Sequence, residues 1–138
     1  MKKGFVLAVF AYLVPTFILG ASWHFLFFRE LYDSFGIYNR PDPIIPMGFG
    51  SMVIQGLILA YLYPFYFHSG SPIRRGFQFG VIMGLFLFSV STIANTAKIQ
   101  VSNTGLWFAV QAAFHFIQFG VTGPLIGLVY RNLRNSPA

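Results

Sequence analysis

Residues 76 to 97 read "GFQFGVIMGLFLFSVSTIANTA", and no Asp, Glu, Lys or Arg interrupts them. A helix rises about 1.5 Å per residue, so a stretch of this length covers the roughly 30 Å hydrocarbon core of a bilayer. A chain crossing lipid must satisfy its own backbone hydrogen bonds, and a helix does so within one segment. The stretch therefore predicts a transmembrane helix. Gly76, Gly80 and Gly84 form two successive small-xxx-small steps, and Ser91 and Asn95 continue roughly the same face. Lipid offers no hydrophobic drive for helix association, so small residues that admit a close backbone mark a packing face.

Working outward, three more spans can be drawn: residues 4–28, 46–67 and 105–130, with the opening one at 76–97. Together they predict one all-α domain over residues 1–138, a polytopic membrane protein built as a bundle of four transmembrane helices. Gly123 and Gly127 repeat the packing device in the last span. Pro15 and Pro124 lie inside spans, where each is expected to kink its helix and free a carbonyl. Pro64 lies near the end of the second span and is expected to fray it.

Composition agrees. A soluble domain would not be 56% hydrophobic with only 9% charged residues. The net charge of +6 comes from Lys and Arg beside apolar runs, which reads as membrane flanking and not as a nucleic-acid surface. The absence of Cys excludes a disulfide, a thiolate metal site and a cysteine nucleophile. Lys2 and Lys3 before an apolar run suggest a signal peptide, but this run exceeds the usual core of about 7–15 residues and is expected to stay.

Lys2, Lys3, Arg74, Arg75, Arg131 and Arg134 fall on one side of a four-span topology, and Arg29, Arg40 and Lys98 on the other. The positive-inside rule makes the first side cytoplasmic, with both termini there. Trp23 and Trp107 then lie near the outer interface, and Tyr61, Tyr63, Tyr66 and Tyr130 toward the inner one. The long loop "RELYDSFGIYNRPDPII" (29–45) holds Glu30, Asp33 and Asp42, every acid in the chain. Pro41, Pro43 and Pro46 stiffen its exit. It reads as a solvated loop, or as a surface for a partner or cation; no two acids have EF-hand spacing.

The last span raises the functional question. In "QAAFHFIQFG" (111–120), Gln111, His115 and Gln118, with Thr122 beyond, fall within about 60° of one another on a helix. Depth along the spans brings His24, Gln55 and Asn95 toward the same half of the bundle. Polar groups in hydrocarbon turn to the interior or a wet cavity. The expectation is an interior polar cluster of His24, Gln55, Asn95, Gln111, His115 and Gln118, opening outward.

Such a cluster can serve as interhelical glue or as a binding or transport site for a small or amphipathic ligand. A bis-histidine haem b through His24 and His115 is a third alternative, opposed by depths of about 7 and about 15 Å from the outer end. A metal site is not expected, since the spans hold no third histidine or carboxylate. Ser22 beside His24 makes no triad, so an enzyme is not expected either.

The segments "LGASWHFLFF" (19–28), "GFQFGVIMGLFLFSVSTIANTAK" (76–98) and the GxxxG…VYRN ending at Asn132 resemble small bacterial inner-membrane proteins of four helices classed as domains of unknown function. Such families often carry an acid where this chain has Asn95. The resemblance implies a small four-helix unit and assigns no functional residue. The expected role is a non-enzymatic accessory or packing subunit of a membrane assembly, its partners being the lipid bilayer and other membrane subunits or copies of itself.

Overall fold

The computed structural model describes residues 2–37, 40, 42–66 and 69–134, with only the main chain at 2 and 132–134. Pro41 and Phe67, the expected end of the second span, lie outside the described residues, as do the side chains of Lys2 and Arg134.

The chain is all-helical, with no strand among the described residues. Helix α1 (Lys2–Ala21) runs into a π-helical segment, π1 (Ser22–Phe27), and the short α2 (Arg29–Ser34) follows. Next come α3 (Ile45–Tyr66) and α4 (Pro72–Phe88), which continues through π2 (Ser89–Ile93) into α5 (Ala94–Thr96). The last helix is α6 (Thr104–Arg134). Four stretches, Lys3–Phe27, Ile45–Tyr66, Pro72–Thr96 and Thr104–Arg131, are long and apolar enough to cross a membrane. Their outward side chains, such as Phe10, Ile18, Ile54, Leu85 and Phe116, are apolar and exposed.

The third span begins earlier than its apolar run. Ser71, in extended conformation, caps α4 by accepting from the Arg74 N–H, and Pro72 takes the first helical position, where its missing N–H costs nothing. Gly70, at φ +98°, makes the turn ahead of it in a region side chains avoid.

The tightest seam joins α4 to α6. A Cβ built on Gly76 would strike the Gly123 carbonyl, and one on Gly80 would strike the Phe119 carbonyl oxygen. At Gly84 the neighbour is the Phe119 side chain, 3.2 Å from such a Cβ. Gly127 lies against the Pro72 carbonyl and the Tyr63 hydroxyl. Backbone-to-backbone approach of this kind is open only to glycine. Helix α1 packs on the other flank of α6, and α3 packs on α1. The main core holds Tyr12, Leu13, Leu59, Tyr63, Phe79, Phe119 and Ile126.

Ser91 and Asn95 do not both continue the glycine face. The i→i+5 turn of π2 inserts one extra residue per turn, so the face that runs through Gly76, Gly80 and Gly84 resumes one position later. Thr92 is fully buried there and Thr96 half-buried, while Asn95 turns outward.

Pro64 does not end α3, which continues to Tyr66. Proline lacks the N–H that would bond the carbonyl four residues back, at Ala60. The Tyr130 hydroxyl donates to that Ala60 carbonyl at 2.6 Å and takes the missing donor's place.

Candidate functional site

The polar stripe of α6 separates into two layers with different partners. Toward the end of the bundle that carries both termini, the Tyr12 hydroxyl donates to Gln55 Oε1 at 2.5 Å and accepts from Gln118 Nε2 at 3.0 Å. Gln118 Nε2 also reaches Thr16 Oγ1 at 3.5 Å. A hydroxyl has one proton, so the direction is set: Gln118 presents its NH₂, and Gln55 its carbonyl oxygen. One tyrosine thereby ties α1, α3 and α6 together. Thr122 Oγ1 closes back on the Gln118 carbonyl at 2.8 Å.

Tyr12 is the residue that sequence reasoning missed. Its phenol hid among aromatic and aliphatic neighbours, yet Tyr12 and Thr16 stand at i, i+4 on one helix face. A buried Tyr hydroxyl requires a partner, and that requirement was the available signal.

The second layer lies toward the opposite, loop end and centres on His115, which is 6% exposed. Its Nδ1 lies 2.7 Å from the Gln111 carbonyl, and its Nε2 lies 3.2 Å from Ser91 Oγ. A carbonyl can only accept, so Nδ1 carries the proton and Nε2 of the neutral ring accepts from Ser91. The Phe119 ring stacks parallel to the imidazole at 6.5 Å between centroids. His24 repeats half of this pattern: its Nδ1 donates to the Gly20 carbonyl at 2.9 Å.

Both histidine nodes sit at π segments. His24 belongs to π1, and Ser91, the partner of His115, belongs to π2. A change from i→i+4 to i→i+5 bonding leaves a carbonyl without its usual donor, and side chains supply one. His24 does so at Gly20, Asn95 Nδ2 at Ser91 (2.9 Å) and Thr96 Oγ1 at Thr92 (2.7 Å).

The loop end of this layer is covered, where an outward opening was expected. Helix α2 folds back so that Tyr32 and Phe35, only 2% and 1% exposed, pack on Trp107. The Trp23 indole donates to the Tyr32 hydroxyl at 3.2 Å, and the Trp107 indole to Thr96 Oγ1 at 3.1 Å. Ser102 fastens the loop through its hydroxyl to the Ser34 carbonyl and its N–H to the Phe35 carbonyl. Aromatic side chains in the loop at 29–45, with Glu30, Asp33 and Asp42 facing outward, make the first part of that loop an amphipathic cap over the bundle.

The six residues of the expected cluster thus have distinct fates. Gln55 and Gln118 meet through Tyr12, and His115 bonds the Gln111 backbone. Gln111 as a residue is 7% exposed, and its amide, which keeps some accessible surface, makes no hydrogen bond with a described residue. Asn95 leaves the cluster, because π2 rotates it to the surface, where it bonds its own helix. His24 is half-buried and stands against the rings of Tyr32 and Phe114, at 4.6 and 5.0 Å. Phe114 also adjoins His115, at 5.6 Å, so one phenylalanine borders both imidazoles. With Nδ1 on a carbonyl and Nε2 on Ser91, His115 offers no free nitrogen in this arrangement. No group of three or more His, Cys, Asp or Glu gathers among the described residues.

Chemically, the arrangement holds helices together: neutral donors and acceptors paired across α1, α3, π2 and α6. Among the described residues no fully buried side-chain nitrogen or oxygen lacks a partner. Compared with protein-family models, curated proteins and solved structures, the chain matches none.

Proposed function

We propose that this chain is a non-enzymatic integral membrane protein that acts as an accessory, packing subunit of a membrane assembly. It would lie in a bacterial inner membrane, as the resemblance implies, with both termini cytoplasmic, as the Lys and Arg distribution favours. The observation that carries the role is the uncovered half of α3. At its loop end, α3 meets α1 through Phe17 against Phe49, and residues 45–49 there are exposed. Gly48 and Ser51 lie exposed on that half, and a Cβ at Gly48 would meet no heavy atom within 4 Å. Small residues on an open helix face admit the close approach of another helix, which lipid chains do not need. Polar groups in the interior are meanwhile spent on closing the bundle.

The chain has no cysteine, so single Cys substitutions are unique reporters. Ser51→Cys in native membranes should cross-link to a neighbouring chain, and Phe65→Cys, on an exposed part of the same helix, should not. Gentle extraction should then yield a particle heavier than one chain with its detergent. Monomeric mass together with no cross-link at Ser51→Cys would reject the role.

One observation favours a second reading, a binding unit for a small ligand. The Gln111 side chain makes no hydrogen bond with a described residue, and its amide atoms keep some accessible surface beside the His115 layer. Mass measurement of small molecules that co-purify with the wild type and are lost from Gln111→Leu would support it.

A further inference from the structure

At the end of the bundle that carries both termini, two hollows on the surface share lining residues. The first, about 230 Å³, is lined by Gly70, Ser71, Arg74, Arg75 and Gln78. The second is an open groove of about 430 Å³ that shares Arg75 and Gln78 and continues along Tyr66, Phe77, Val81 and Ile82. One is basic and the other a shallow, mostly apolar groove, and Arg75 and Gln78 line both.

The charges around them are unbalanced. Arg75 is held by neutral partners, its Nε donating to the Ser69 carbonyl at 3.3 Å and its Nη1 to Gln78 Oε1 at 3.5 Å. The Arg74 side chain has no hydrogen bond with a described residue. All three acids of the chain lie in residues 29–45, at the opposite end of the bundle. No Asp or Glu is therefore available to neutralise this pair. Arginine guanidinium groups match phosphate oxygens in geometry as well as in charge.

We propose that this composite hollow binds an anionic phospholipid, with the headgroup phosphate on Arg74 and Arg75 and one acyl chain along Phe77, Val81 and Ile82. A free phosphate or a soluble phosphate ester would satisfy the arginines alone. The mostly apolar groove leading away from them is what selects a lipid. Tyr66, on the wall of the groove, has the amphipathic character that suits the level of lipid headgroups. Arginines beside the end of a membrane helix attract anionic lipid headgroups. The inference rests on insertion in a bilayer and not on the accessory role.

Insertion is checked first and separately, by resistance of the full chain to alkaline carbonate extraction from membranes. The full chain in mild detergent is then offered phosphatidylglycerol or phosphatidylcholine of identical acyl chains, and retained lipid is read by native mass spectrometry. Wild type should retain phosphatidylglycerol over phosphatidylcholine by at least about fivefold, the factor that one interfacial arginine contributes. Arg74→Gln/Arg75→Gln should bring the two lipids level at unchanged thermal stability. Val81→Trp, which fills the groove and leaves both arginines, should also lower retention. Free glycerol 3-phosphate should not displace the lipid. Equal retention of the two lipids by wild type, undiminished preference in the double arginine variant, or displacement by glycerol 3-phosphate would each overturn the proposal.

Discussion

The Tyr130 hydroxyl sits 2.6 Å from the Ala60 carbonyl, the one carbonyl that Pro64 deprives of its helical donor. A break in α3 and a side chain from α6 therefore complete each other across the bundle. Tyr130→Phe should destabilise the protein by about 1–2 kcal/mol, since the carbonyl is left unpaired in a partly buried place. In a Pro64→Ala background residue 64 regains its N–H, and the same substitution should cost less. Unfolding of the four chains in detergent forms a double-mutant cycle, and additive losses would refute the pairing.

The glycines should form a graded series. Gly80→Ala places a methyl against a backbone carbonyl of α6, which cannot swing away, and should cost roughly 1–3 kcal/mol. Gly84→Ala meets only the Phe119 side chain and should cost less. Gly20→Ala, with nothing within 4 Å, should be neutral. Thermal unfolding in one detergent ranks the three, and an equal loss at Gly20 and Gly80 would contradict the seam.

Tyr12 should dominate the polar layer between α1, α3 and α6. Tyr12→Phe removes the donor to Gln55 and the acceptor for Gln118 together, for a loss of roughly 1–3 kcal/mol. Coupling between Tyr12→Phe and Gln55→Leu should reach about 0.6–1.7 kcal/mol, the range found for interhelical hydrogen bonds in membranes. A coupling near zero would show that the two side chains do not bond.

His115 separates glue from cofactor ligation. His115→Gln keeps an acceptor for the Ser91 hydroxyl and should lose only about 1 kcal/mol, against a larger loss for His115→Leu, which strands Ser91. Both nitrogens of His115 are already bonded within the bundle, so the purified protein should show no haem absorption band. A band abolished by His115→Gln and by His24→Ala would reverse this assignment.

Four long helices were legible in the residues themselves. Runs such as 76–97 are uncharged for their whole length, and length with apolarity is a local property that no neighbour needs to supply. The glycine spacing at 76, 80 and 84 was equally plain, though not the helix it faces. Local composition does not distinguish an i→i+4 turn from an i→i+5 turn, so nothing announced π2. That single extra residue turned Asn95 outward and brought Thr92 inside. Likewise the run 29–45 looks polar by its acids, while the burial of Tyr32 and Phe35 depends on distant partners such as Trp107, more than seventy positions later in the chain. Tertiary structure decided which polar groups meet, because a hydrogen bond between helices depends on the rotation of each about its own axis, and that rotation is set by the packing of the others.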